Sequence, residues 1–227
     1  EFEQMEMQYF VKPGTDNEAF GQWKDKRLNF YLNNLDINKD KLRFHEHGSS
    51  ELAHYAKEAW DIEYKFPFGW SEIEGIHNRT DYDLSRHEEF SGKNLSYFDQ
   101  INNDRYLPYI IETSAGLNRM LLTVLADAYW EDDENNRTVM RISPRLAPVK
   151  AVICPLLKKD GLPEKAREIV EILKPHFKVL YDQQGSIGKR YYRQDEAGTP
   201  FGITVDHQSI EDNTCLLYTS PSPRDDS

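Results

Sequence analysis

The order of apolar segments in the second half of the chain is what most restricts its fold. Residues 149–157 form a nearly continuous apolar run of the kind a strand buried on both faces requires. Residues 163–173 then read as a helix, with Pro163 in the first turn and Ala166, Ile169, Val170 and Leu173 on one face. A strand at 177–181, a basic helix at 186–194 and a strand at 200–205 follow. Strands that alternate with helices in this way specify a small parallel or mixed sheet with helices on its faces.

The first half is patterned differently. In residues 2–10, Phe2, Gln4, Glu6, Gln8 and Phe10 share one face of a strand, and Glu3, Met5, Met7 and Tyr9 share the other. The methionine face suits a core. The polar row suits either solvent or the floor of a binding cleft. A Pro-Gly turn leads into a polar helix over 18–35, and 50–60 reads as a helix capped by Ser50. Aromatic and charged residues over 61–90, broken by Pro67, Gly69 and Gly75, fit short strands and loops better than helices. After Gly116, Leu117, Met120, Leu121, Val124, Leu125 and Ala128 recur at helical spacing. The acidic, Asn-rich loop 131–136 marks the expected domain boundary, giving domains at 1–137 and 138–214. The tail at 215–227 turns abruptly to Ser and Pro and reads as foreign to the fold.

Composition narrows the class further. Hydrophobic residues make up 38% of the 227 and charged residues 30%, a globular balance. No apolar run approaches the roughly 20 residues of a membrane span, so no membrane partner is expected. The N-terminus is acidic, unlike a targeting peptide, and the chain opens inside a strand, as a cut end would. Cys154 and Cys215 have neither metal-ligand spacing nor a framework partner, which suits a reducing, cytoplasmic setting. Residues 1–137 hold 15 Lys and Arg against 27 Asp and Glu, whereas 138–214 hold 12 against 10. That split suits a cationic small substrate in the first part and nucleic acid near the second, or ordinary surface variation. His45-Glu46-His47 lacks zinc-helix spacing, and Gly185-Ser-Ile-Gly-Lys-Arg lacks the Ser or Thr of a phosphate loop.

Five segments carry chemistry: Phe2-Glu3-Gln4-Met5-Glu6, Gly69 to Ile76, Arg79 to Leu84, Glu112 to Arg119, and Asp182 to Tyr191 followed by Asp195 to Phe201. In their order, together with His54-Tyr55-Ala56 and Ile142-Ser-Pro-Arg-Leu-Ala-Pro148, they resemble the glycyl-tRNA synthetase family over about residues 1–214. The first segment is similar to the second strand of class II motif 2, and Gly116-Leu117-Asn118-Arg119 to motif 3. The resemblance implies an α/β chain: part of a class II catalytic domain of α+β type, built on an antiparallel sheet, then a small α/β mixed-sheet anticodon-binding domain.

It also implies glycine–tRNA ligase activity with ATP and Mg²⁺, glycine and tRNA as partners, and a homodimer. Arg119 and Glu72 would be the catalytic pair. Glycine would be held among Phe2, Glu3, Gln4, Met5, Glu6, Glu112, Thr113, Ser114, Ala115 and Gly116. ATP would lie against Phe2, Glu72, Ile73, Gly116, Leu117, Asn118 and Arg119, its adenine between the Phe2 ring and the Arg119 guanidinium. Arg79, Asp81 and Asp83 would be scaffold. Lys189, Arg190, Tyr191 and Arg193 would meet tRNA through phosphate and stacking contacts.

Motif 1 and the first strand of motif 2 are not in the sequence, and the tail stands where a last strand is expected. The chain alone is therefore expected to be inactive and not to dimerise correctly. The competing readings are another class IIa synthetase, for histidine, threonine or proline, and a non-catalytic synthetase-like nucleic-acid-binding subunit. The glutamates, Ser114 and Arg119 favour the glycine enzyme.

Overall fold

Alternation of side chains over long stretches makes an antiparallel sheet of the first half. A computed structural model of the protein describes residues 3–48 and 56–220, which fall into two compact units, Glu1–Thr123 and Val124–Ser227. In the first, β1 (Gln4–Val11) leads through a turn to α1 (Asp16–Asn33), and β2 (Leu42–Glu46), β3 (Glu58–Phe66) and β4 (Gly69–Thr80) follow. Then come α2 (Tyr82–Ser91), a small hairpin of β5 (Tyr97–Asp99) and β6 (Asp104–Tyr106), β7 (Tyr109–Gly116) and α3 (Leu117–Ala128). The five-stranded sheet has the order β1-β7-β4-β3-β2, and every pairing in it is antiparallel.

Helix α1 lies against β4 and β7. Ile62, Ile76 and Ile111 from the sheet and Phe20 and Tyr31 from the helix are buried. Two carboxylates go under with them, each with a partner. Glu74 receives Nε of Arg27 at 2.5 Å and Nη2 at 3.0 Å. Asp16, in the first turn of α1, accepts from Lys57 Nζ and from the Asn78 amide, both at 2.8 Å. Burial opposes ionisation of Asp16, but those hydrogen bonds outweigh it and hold its carboxyl below the ordinary carboxylate range.

Three sequence expectations are corrected here. Residues 58–66 belong to a strand, not to a helix over 50–60. Trp60, Ile62, Tyr64 and Phe66 alternate along β3, and pairing with β4 from Glu58↔Asn78 to Phe66↔Gly69 outweighs local helical spacing; residues 49–55, with Ser50, His54 and Tyr55, lie outside the described residues. Second, Tyr82–Ser91 is a helix. It lacks an apolar stripe to announce it and ends on Gly92 in the left-handed region at φ 69°. Third, the buried side of α3 runs through Met120, Thr123 and Ala128, while Leu117, Leu121 and Leu125 are exposed.

The second unit takes in the end of α3 from Val124 and continues with the hairpin β8 (Tyr129–Asp132) and β9 (Arg137–Met140), whose turn occupies the acidic loop. Then β10 (Ala151–Pro155), α4 (Leu162–Leu173), β11 (Val179–Tyr181), α5 (Ile187–Ala197) and β12 (Phe201–Val205) alternate as their sequence pattern requires, followed by α6 (His207–Asp212) and β13 (Leu216–Thr219). The sheet order is β11-β10-β12-β13. Both neighbours of β10 are parallel to it. Ile153, Leu162, Ala166 and Val205 centre the core, with Ile169, Val170 and Leu173 packed on them. Burial pushes the Cys154 thiol up to about 11, so it behaves as a core hydrophobe.

Part of the excluded tail belongs to this sheet. Leu216–Thr219 pairs antiparallel with β12, Phe201 opposite Thr219. The Ser/Pro composition that set the tail apart begins just after this strand, and residues 221–227 lie outside the described ones.

Arg190, on α5, is almost fully buried. Its Nη1 donates to the Pro155 carbonyl at 2.6 Å, and its Nη2 to those of Gly185 at 2.9 Å and Gln183 at 3.3 Å. The guanidinium thus ties the ends of β10 and of the loop after β11 to α5.

Two stability measurements test these contacts. Arg190→Ala strands three carbonyls and removes a buried planar donor, so urea unfolding should show a loss of about 3 kcal/mol or more, and Arg190→Lys should restore only part of it. Asp16→Ala should cost about 1–3 kcal/mol at neutral pH. Because the folded-state pKa of Asp16 is depressed, its contribution is present above the unfolded value of about 4 and is lost as pH falls below it. The gap between wild type and variant should therefore close in acid.

Candidate active site and nucleic-acid face

The strand β7 has its main chain paired on both sides, to β1 and β4, and residues opposite each other in an antiparallel ladder point to the same face. One row across the sheet is therefore Glu6, Ser114, Gly75, Asp61 and His45. The next row is Gln8, Glu112, His77 and Ala59. This is the side of the sheet opposite Ile62, Ile76 and Ile111, and it is polar.

The hydrogen bonds along it are specific. Gln4 Nε2 donates to Ser114 Oγ at 2.7 Å, and Gln8 Nε2 to Glu112 Oε2 at 3.2 Å. Arg79 Nη1 donates to Glu112 Oε1 at 2.9 Å. The same guanidinium holds Asp83 through Nε at 2.7 Å and Nη2 at 3.0 Å. Glu112 is only 6% exposed, so Arg79 rather than bulk water is the main partner of its side chain. Next to this group His47 Nε2 and Asp61 Oδ2 are 2.7 Å apart.

Gly116 ends β7 and Leu117 begins α3 with no loop between them. The Leu117 amide donates to the Glu3 carbonyl at 3.0 Å. Arg119 is consequently in the first helical turn, and its Nη1 donates to the Glu72 carbonyl at 2.8 Å with Glu72 Oε2 at 3.7 Å. Partial burial and the nearby Asp61 carboxylate raise the Glu72 pKa, against the pull of Arg119. A half-exposed guanidinium beside the amides of a helix N-terminus is a place where a phosphate is favoured.

The structure thus brings Gln4, Glu6, Glu112 and Ser114 to one face, with Glu72, Gly116 and Arg119 at the β7–α3 junction. Met5, Thr113 and Ala115 belong to the opposite face; Thr113 and Ala115 are buried there. Glu3, two residues before Met5, shares that parity. Ile73 is buried at a bulge in β4. Leu117 and Asn118 are exposed at the helix start, and Phe2 lies outside the described residues. Asp61, His47 and His77 were missed by the sequence reading. For Asp61 the available signal was period-two polarity along Asp61, Glu63 and Lys65. Among the described residues no group of three His, Cys, Asp or Glu side chains is arranged to hold a metal ion.

On α5, the residues expected to meet RNA separate. Lys189 is exposed. Arg193 is half exposed and pairs with Asp182 at 2.5 Å. Arg190 is spent on carbonyls inside the unit, and Tyr191 bonds Thr204 and packs against Tyr218, ring centroids 4.6 Å apart. Helical periodicity turns Arg190 into the core and leaves Tyr191 half-buried. Tyr192, half exposed beneath the Arg137 guanidinium at 4.8 Å, is instead an aromatic on the outside.

Comparison with known proteins shows what the chain as a whole is similar to. Residues 150–219 match the anticodon binding domain family. The chain is 57% identical over 225 residues to a glycine–tRNA ligase of Treponema denticola, covering 96% of this chain and 50% of that one. It is 53% identical over 219 residues to that of Chlorobaculum tepidum, covering 96% and 46%. The chain spans about half the length of the curated relatives it matches. A Giardia lamblia prolyl-tRNA synthetase, solved with prolyl-adenylate, has the same fold at a TM-score of 0.69 and 17% identity, over 96% of this chain and 42% of that one. With its antiparallel sheet running into α3 and its anticodon binding domain at 150–219, the chain is homologous over nearly its whole length to about half of a glycine–tRNA ligase.

Proposed function

We propose that this chain carries the glycyl-adenylate face and the anticodon-binding domain of a glycine–tRNA ligase. The observation that carries the reading is the junction of β7 with α3. It sets Glu112 and Ser114 opposite Gln8 and Glu6 and puts Arg119 in a first helical turn, bonded to Glu72.

Glycine offers an ammonium, a carboxylate and no side chain. Glu6 and Glu112 supply negative charge for the ammonium, and Ser114, bonded to Gln4, stands beside the Cα. In the first step a glycine carboxylate oxygen bonds to the ATP α-phosphorus and the bond to pyrophosphate breaks. In the second, the 3′-terminal ribose hydroxyl of tRNA bonds to the glycyl carbonyl carbon, loses its proton and displaces AMP. Arg119 and the amides at the start of α3 face phosphate charge, so this chain's part is positioning and electrostatic stabilisation. Phe2, Glu72, Ile73, Gly116, Leu117 and Asn118 complete the ATP surface in this reading.

Mg²⁺ fits only as an ion held chiefly by ATP phosphates, with Glu72 the carboxylate beside Arg119, because the described residues offer no protein-only cage. The ion would neutralise phosphate charge. The anticodon-binding unit meets tRNA through Lys189, Arg193 and Tyr192. A homodimer in the cytosol completes the proposal. Among the described residues no helix is long and apolar enough to cross a membrane.

The test is ATP–pyrophosphate exchange by a chimera in which this chain replaces the matching half of the Treponema denticola relative. Glycine should support exchange where histidine, threonine and proline do not, and Arg119→Ala should lower kcat/KM by about a hundredfold or more. Exchange with a different amino acid, or none by a folded chimera, overturns the reading. The raised pKa of Glu72 adds a pH signature. Its carboxylate is lost as pH falls through a value above the ordinary glutamate range, so the acid limb of kcat/KM should move in Glu72→Gln.

A further inference from the structure

In the row Glu6, Ser114, Gly75, Asp61 the third position has no side chain. A Cβ at Gly75 would stand 2.8 Å from His77 Cε1, 3.6 Å from His77 Nε2 and 3.7 Å from Asp61 Oδ1. Contacts below 3.0 Å do not occur with real Cβ atoms, so the His77 ring occupies the space that any larger residue at 75 would fill. The imidazole comes from the neighbouring row, two residues along β4, and leans back over the glycine. Its Nδ1 is 3.7 Å from Glu112 Oε1, and 19% of the side chain meets solvent. Arg79 fixes that Glu112 oxygen at 2.9 Å, so the ring's neighbour is itself held.

We infer that His77, seated over Gly75, is a specificity-determining wall of the amino-acid pocket, closing the space between Ser114 and Asp61 to any side chain on the substrate Cα. The inference rests on the glycyl-adenylate reading of this face and goes beyond it, naming how a pocket for glycine turns away alanine and serine. The physical case is one of shape. A site holding an ammonium through Glu6 and Glu112 would hold that of alanine equally well. Discrimination against one added methyl must therefore come from a clash. The ring reaches from beside Glu112 in its own row to the Gly75 position in the Ser114 row. Its seat requires glycine at 75, which ties the two residues together.

The experiment uses the same full-length chimera and measures kcat/KM in ATP–pyrophosphate exchange for glycine, alanine and serine, with wild type, His77→Ala and His77→Gln. His77→Ala should raise the alanine-to-glycine ratio by about tenfold or more, the usual worth of one methylene in a pocket. His77→Gln, which keeps a polar group near Glu112 but loses the ring, should raise it less. Alanine should gain through KM. A thermal unfolding curve for each variant shows that it is folded, and if His77→Ala is not, His77→Gln decides. Ratios within twofold of wild type in folded variants overturn the inference while the ligase reading stands. A folded wild-type chimera that activates no glycine overturns both.

Discussion

The paired strand β7 is the constraint on which the first unit depends. Its backbone is committed on both edges, to β1 through eight consecutive pairs and to β4. Its side chains are therefore fixed in direction, and one strand does two jobs: Ile111, Thr113 and Ala115 are buried on the side of α1, while Glu112 and Ser114 stand on the polar face. A register slip of one residue would exchange these sets, burying two polar groups and exposing the core. Because Leu117 continues directly from Gly116 into α3, the helix start and Arg119 inherit the same precision. A chemically useful arrangement follows from a requirement of folding.

Buried charge is the second organising theme, and a guanidinium meets most of it, Asp16 with Lys57 and Asn78 being an exception. Glu74 has Arg27, Glu112 has Arg79, Asp195 has Arg137 at 2.7 Å, and Arg190 has three carbonyls. In each case a planar guanidinium meets oxygens in a geometry that a lysine would not match. Such groups need not add net stability relative to apolar replacements, but removing one partner leaves a stranded charge. They fix which face is which. Arg79 does this for the site itself, since one guanidinium ties β4 to β7 through Glu112 and to α2 through Asp83.

What could be read from the sequence follows from how far each signal reaches. The βαβαβ order of the second unit was legible because strands buried on both faces and one-sided helices leave strong local periodicities. The split of β1 into a polar face and a methionine face was legible for the same reason, but the methionine face is not core, since Met5 and Tyr9 are 42% and 47% exposed. Residues 58–60 misled because their helical spacing is local, whereas the pairing of β3 with β4 that overrides it is not. Helix α2 is stabilised by ion pairs such as Arg79–Asp83 and by a Gly92 cap rather than by an apolar stripe, so periodicity had nothing to register. Glu112, Ser114 and Arg119 were singled out through motif order, while Asp61 and His77 were not. Their meaning comes only from a register that aligns β3, β4 and β7.

The same reasoning explains why a basic-aromatic run is a poor guide to an RNA surface. Lys189-Arg190-Tyr191-Tyr192-Arg193 reads as one patch, but a helix distributes five consecutive residues around more than a full turn. Arg190 faces the core and Tyr191 lies along β12, over Gly202, where a Cβ would be 2.4 Å from its ring. Lys189, Tyr192 and Arg193 remain outside. The two inward residues are the ones whose loss would destabilise the unit. Reduced tRNA binding on mutating the run as a whole would therefore report on folding as much as on contact. Charge carried by the outward residues contributes only as surface electrostatics, which weakens with salt, and so the two contributions separate by their salt dependence even within a single helix.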